Sequence, residues 1–133
     1  MSPSLNAPTG TPTKTLLVWT FFALKGRIGR RVYWLAQLFI IALDCAFVLQ
    51  LLGGEEARYH GVAVGITPFL LVVSAYSTIA VAVKRLHDFD TSGFVALALC
   101  IPLLDMAFRI WAGIVPGTSG PNRFGAIRDV PPQ

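Results

Sequence analysis

The chain has 133 residues, 54% of them hydrophobic and only 14% charged, with a formal net charge of +4 and a mean hydropathy of +0.63. That length bounds it to one domain, and a soluble domain so small buries too little of its surface to hide this much apolar area, so an ordinary soluble globular protein is excluded and a bilayer is implied. The basic balance does not point to nucleic acid, because no nucleic-acid-reading module is visible and the cations gather at the edges of apolar runs, where anionic lipid headgroups lie.

Residues 1–13 (MSPSLNAPTGTPT) are rich in Pro, Ser, Thr and Gly without apolar periodicity and read as a disordered tail. From 14 to 125 the chain reads as a single integral-membrane domain, and 126–133 as a flexible C-terminal tail. The apolar run at 15–24 is too short to span. Lys25-Gly26-Arg27 follows it where a signal peptide would carry a small-residue cleavage site. It is expected as an interfacial helix, with Trp19, Phe21 and Phe22 dipping into the headgroup boundary. Arg27, Arg30 and Arg31 then stand at helical i, i+3, i+4 spacing, ahead of a Tyr33-Trp34 aromatic belt. They read as contacts for lipid headgroups or a partner, or as a topology anchor.

The first span is placed at 34–52, about 28 Å of helix. Its eleven Leu, Ile, Phe and Val residues, at roughly −0.3 to −0.6 kcal/mol each, outweigh Asp44 at roughly +3 kcal/mol. Gly53-Gly54 closes it, and His60 in the following polar loop reads as a solvated residue without metal-ligating neighbours. Cys45 and Cys100 both fall inside apolar runs, which is no disulfide framework. No metal or cofactor is expected. The second span is placed at 62–83, kinked or started late by Pro68, with small residues at Gly61, Gly65, Ser74, Thr78 and Ala82 that permit close helix approach.

Between the second and third apolar runs lies the densest polar stretch, Val83 to Gly93. Lys84 and Arg85 are expected to offset the C-terminal dipole of the second span, and Asp88 and Asp90 the N-terminal dipole of the third helix. Thr91 or Ser92 would be its N-cap. A chemical alternative makes His87-Asp88 an acid–base pair beside a Ser92 hydroxyl. The third run, 94–116, again carries eleven Leu, Ile, Phe and Val residues, worth roughly −5 kcal/mol against roughly 5–7 kcal/mol for Asp105 and Arg109. It either spans with those charges paired at i, i+4, or with Asp44, or turns back near Pro102 as a re-entrant hairpin buried in protein. If it spans from the inner face, Asp44 and Asp105 lie at similar depth and Arg109 one turn deeper. Asp44, Asp105 and Arg109 are then a candidate buried charge cluster, and intramembrane charges are functional candidates by default. Five cations precede the first span, Arg58 alone follows it, and Lys84 and Arg85 follow the second. The positive-inside rule puts the N-terminus in the cytoplasm, the 53–61 loop outside and the 83–93 stretch inside.

Three islands together resemble a known pattern: Lys25-Gly26-Arg27-Ile28-Gly29-Arg30-Arg31-Val32-Tyr33-Trp34, then Lys84-Arg85-Leu86-His87-Asp88 with Ser92-Gly93-Phe94, then Gly117-Thr118-Ser119-Gly120-Pro121-Asn122-Arg123-Phe124-Gly125. The pattern is similar to the bacterial inner-membrane family called domain of unknown function 805, the YhaH/YhaI-like proteins, from about Trp19 to Gly125. The chain departs from it in its long Pro/Thr-rich N-tail and at Ala126-Ile127. The resemblance implies a small multi-span inner-membrane protein and supplies no reaction. It marks His87, Asp88, Ser92, Asn122 and Arg123 as the motif's polar residues. The expectation is an all-α membrane protein: a bundle of about three transmembrane helices, the third either spanning or re-entrant, plus the N-terminal interfacial helix. It would be non-enzymatic and act on anionic lipid headgroups (through Arg27, Arg30, Arg31, Lys84 and Arg85), on another membrane protein or on a second copy. An ion-coupled transport subunit using Asp44, Asp105 and Arg109 is one alternative. A cytoplasmic-face enzyme using His87 and Asp88 is another.

Overall fold

The computed structural model describes residues 12–52 and 60–131. The tail through residue 11, the loop at 53–59, the side chains of residues 60–63 and the last two residues lie outside the described residues. Every regular element among those described is helical: α1 (Thr13–Phe22), α2 (Arg30–Leu52), α3 (His60–Asp88), a 3-10 segment (Gly93–Cys100) and α4 (Pro102–Ile114).

Two of these helices, α2 and α3, are long and apolar enough to cross a membrane. At 23 and 29 residues they run to about 35 and 44 Å, beyond the roughly 30 Å of a hydrocarbon core. Both outrun the expected boundaries. α2 starts at Arg30 rather than Trp34, its first turn closed by the Tyr33 amide donating to Gly29 O at 3.0 Å. α3 runs on past Val83 through Lys84, Arg85, His87 and Asp88, which form its last turn. It ends where Asp90 takes a left-handed φ of 58°, a conformation that Asp tolerates better than most residues.

The third apolar run, placed at 94–116, is not one continuous helix. Eight residues of 3-10 helix cover about 16 Å and thirteen of α4 about 20 Å, each short of a bilayer core. The break falls at Ile101, extended at φ −106° and ψ 113°, directly before Pro102 in the first turn of α4. Proline lacks the amide that would continue the helix and pushes its predecessor out of helical geometry. α4 then runs back antiparallel to α2: Arg109 bonds Gln37, Gly113 bonds Trp34 and Ile114 bonds Arg30. Chain direction thus reverses within the run, and Ile114 returns to the end of the bundle from which Gly93 set out.

The burial pattern is the reverse of a soluble protein's. Leu35, Phe69, Val72 and Leu103 stand exposed, while Arg27, Lys84, Arg85 and Asp88 are at most 1% exposed. The core at that end is built on Ile28, Tyr33, Val81, Leu86, Phe108 and Ala112, with Ala80, Ala82 and Ala96 letting the helices approach closely.

Candidate functional site

Asp88, at the C-terminal end of α3, organises the buried end of the bundle. Its Oδ1 accepts from Arg27 Nε at 3.0 Å and Arg128 Nε at 2.6 Å, and its Oδ2 accepts from Arg85 Nη1 at 2.5 Å. One carboxylate therefore faces three guanidinium groups. Carbonyl oxygens offset the excess positive charge. Arg27 donates to Gly120 O (2.7 Å), Gly125 O (3.3 Å) and Thr118 O (2.9 Å). Arg85 donates to Ala112 O (2.8 Å), Val115 O (2.6 Å) and Ile28 O (3.3 Å). Ala112 and Val115 sit at the C-terminus of α4, where carbonyls lack intrahelical partners and the dipole is negative. Planar guanidinium forks suit this many-acceptor arrangement as an ammonium would not.

The backbone of the same turn is held by the segment after α4. Asp88 O accepts from the Thr118 amide at 2.8 Å and the Thr118 hydroxyl at 2.9 Å. Asn122 Nδ2 donates to His87 O at 2.8 Å. Gly117 is required: a Cβ there would lie 1.8 Å from Asp88 Oδ2 and 2.9 Å from Asp88 O. Arg128 also donates to Thr118 O. Asp129 holds the loop before α2, with Oδ1 accepting from the Gly29 amide at 2.7 Å and its own amide donating to Arg27 O at 3.0 Å. The stretch read as a flexible tail from 126 thus packs onto the site as far as Asp129. Two residues in it carry this packing: Arg128, ion-paired with Asp88 40 positions away, and Asp129, hydrogen-bonded to Gly29 100 positions away.

Lys84 forms a second buried centre. Its ammonium donates to Trp19 O (2.5 Å), Thr20 O (2.6 Å) and Ala23 O (2.8 Å) and stands 4.8 Å from the centre of the Trp19 ring. All three of its donors are spent on the C-terminus of α1. Arg85 stands in the last turn of its own helix as expected, but the carbonyls that these two side chains bond belong to other helix ends: Lys84 caps α1 and Arg85 caps α4. The donors of Arg27, Lys84 and Arg85, expected at lipid headgroups, are buried and bonded inward. Arg30 and Arg31 remain exposed, Arg30 with a 3.3 Å bond to Ile114 O.

His87 and Asp88 make no bond to each other. His87 Nδ1 lies 3.0 Å from Gly26 O, and its ring stacks on Phe124 at 3.9 Å and 5°. Gly26 sits at φ 97° under the Trp19 indole, 2.7 Å from where a Cβ would be. Ser92 is the N-cap of the 3-10 segment, and Arg123 pairs with Asp90 on the surface at 3.2 Å. Among the described residues no three His, Cys, Asp or Glu side chains gather as metal ligands would.

The expected cluster of Asp44, Asp105 and Arg109 forms only in part. Arg109 donates to Asp105 Oδ1 at 2.7 Å and to Gln37 Oε1 at 2.8 Å. Because α4 runs back toward the Asp88 end, Asp105 lies a turn further from that end than Arg109, the reverse of the expected order. Asp44 lies seven residues beyond Gln37, about 10 Å along α2, and its buried Oδ1 has no partner. Asp44→Asn is accordingly expected to hold or raise the thermal midpoint of the detergent-extracted protein, because an unpartnered buried carboxylate costs stability. Asp105→Asn should lower the midpoint by the modest worth of a partly exposed i, i+4 pair, about 1 kcal/mol or less.

The profile of the family described as "Protein of unknown function (DUF805)" matches residues 21–126. This chain belongs to the DUF805 family. The matched region holds Arg27, Arg85, Asp88, Gly117 and Thr118, and stops just before Arg128. Among DUF805 relatives, the inner membrane protein YhaI of Escherichia coli K12 is 32% identical over 106 residues, 79% of this chain and 85% of YhaI. The inner membrane protein YhaH of the same strain is 31% identical over 109 residues, 79% of this chain and 86% of YhaH. The uncharacterized protein YiiR is 36% identical over 103 residues, 77% of this chain and 64% of YiiR. No solved structure matches the chain. The three islands that carry the DUF805 resemblance are far apart in sequence and meet around one carboxylate.

Proposed function

We propose that this protein is a non-enzymatic component of the bacterial inner membrane. In this reading it crosses the bilayer twice, through α2 and α3, and its third apolar run dips in and returns as a re-entrant hairpin. Both termini are cytoplasmic, and it acts through contact with lipids or a partner membrane protein. One observation carries the reading: Asp88 is ringed by Arg27, from before the first span, and by Thr118 and Arg128, from after the third apolar run. Groups so tightly bonded must share one side of the bilayer, and the cation-rich N-terminal segment assigns that side to the cytoplasm. The non-enzymatic reading is supported by the same geometry. The motif's charged residues are consumed by one another and by carbonyls, which suits an architectural role. Contacts with anionic headgroups or a partner then fall to the exposed Lys25, Arg30, Arg31 and Arg123 rather than to the whole cationic set.

Reporter fusions after Gln133 test the topology. A fluorescent protein fused there should fluoresce and a periplasm-dependent phosphatase should stay inactive. Active phosphatase with a dark fluorescent fusion would place the tail outside and overturn the two-span reading. The transport alternative has less support, since Asp105 and Arg109 close on each other and on Gln37 while Asp44 stands apart.

A further inference from the structure

A groove of about 410 Å³ opens beside the Asp88 cluster, between the last turns of α3 and the 3-10 segment. Its wall is apolar along Ile79, Val83, Leu97 and Cys100, and it ends at the stacked pair His87 and Phe124. Ile79, Val83 and His87 follow one another at i, i+4, i+8, so the wall runs about 12 Å along the helix. Its floor is open because residue 93 is glycine: a Cβ there would come within 2.8 Å of Val83 Cγ1 and 3.3 Å of His87 Nε2. Such a volume suits a hydrocarbon chain.

The polar end has a defined chemistry. Gly26 O only accepts, so His87 Nδ1 carries the proton and the Nε2 of the neutral ring presents a lone pair. Ser92 lies at the same end. At the rim, the exposed Arg123 guanidinium stacks 4.8 Å from the centre of the Phe124 ring and is oriented by Asp90, through Nε to the carboxylate at 3.2 Å and Nη2 to the carbonyl at 2.6 Å, with Nη1 left for an anion. The site therefore offers an apolar slot, an acceptor at its head and a cation beside it.

We infer that this groove holds one acyl chain of a glycerophospholipid, with its phosphate at Arg123 and a hydrogen-bond donor of its headgroup at His87 Nε2. Phosphatidylethanolamine supplies that donor as an ammonium and phosphatidylglycerol as a hydroxyl; phosphatidylcholine has none. The inference rests on the membrane reading above but not on its sidedness, so a failed fusion experiment and a failed lipid experiment are distinguishable.

The test is native mass spectrometry of the full chain in detergent, titrated separately with the three lipids. A single saturable lipid adduct is expected with phosphatidylethanolamine, phosphatidylglycerol or both. Phosphatidylcholine should bind about tenfold more weakly, the worth of one hydrogen bond. Leu97→Trp fills the slot from a residue that is 67% exposed, so the core is untouched, and it should abolish the adduct. His87→Phe keeps the stack on Phe124 and should bring the donor lipids down to the phosphatidylcholine level. Adducts that never saturate, that survive Leu97→Trp, or that form equally with phosphatidylcholine would reduce the groove to a surface for annular lipid and overturn the inference.

Discussion

Asp88→Asn is expected to lower the stability of the extracted protein by about 3–5 kcal/mol, the usual cost of removing one partner from a buried ion pair. For a chain of this size that is a fall of about 10 °C or more in the thermal midpoint. Asparagine keeps the shape but removes the carboxylate that, among the described residues, pairs with Arg27, Arg85 and Arg128, and its amide group adds donors where donors already crowd. Asp88 and its first two partners are sealed from solvent, so the loss should persist at high salt, unlike that of a surface pair. Asp90→Asn is the control. Asp90 pairs with Arg123 at 3.2 Å in the open, and its loss should cost about 1 kcal/mol or less. Equal midpoints for the two variants, measured by loss of the monodisperse species on heating, would remove Asp88 from the centre of the fold.

How far this arrangement was legible in the sequence follows from the range of each interaction. The helical class, the two long spans and the suspicion that Pro102 breaks the third run rest on local composition and on proline's missing amide, and these could be read from the sequence. The three islands stood out as polar patches at the edges of apolar runs. Their joint purpose was hidden, because a cation at an apolar edge has two physical fates: it reaches outward to headgroups or turns inward to a carbonyl cluster. Residue type does not distinguish them. Arg27 and Arg31 are four positions apart, yet the first is buried and the second exposed. Local logic also assigned Lys84 and Arg85 to their own helix, where charge and dipole agree, although the carbonyls they cap belong to α1 and α4. Arg128 and Asp129 were beyond reach, since their partners lie 40 and 100 residues away in a stretch with no periodicity. One signal was available and unused: Gly117 opens the third island with the one residue type that Asp88 leaves room for.

Lys84→Met should release α1 while leaving the Asp88 cluster in place. The ammonium is fully buried and gives its three donors to Trp19 O, Thr20 O and Ala23 O. Hydrogen bonds from a charged donor are worth about 1.5–3 kcal/mol each, and no longer having to bury a charge offsets part of that, so a net loss of about 2 kcal/mol is expected. Most of it is local. Apart from apolar packing around the buried Trp19, α1 meets α3 through Tyr76 Oη donating to Phe22 O at 2.9 Å and a Phe22–Tyr76 ring contact at 6.4 Å, which leaves the ammonium as its main polar tether. The released helix exposes the link to α2, so trypsin should cut after Lys25 about tenfold faster, in line with a loss of more than 1.4 kcal/mol from the closed form. The α2–α3 core should resist as before. Lys84→Arg should not restore protection, because a planar fork does not fit three carbonyls converging on one point. Unchanged cleavage in Lys84→Met would show that apolar packing alone holds α1 to the bundle.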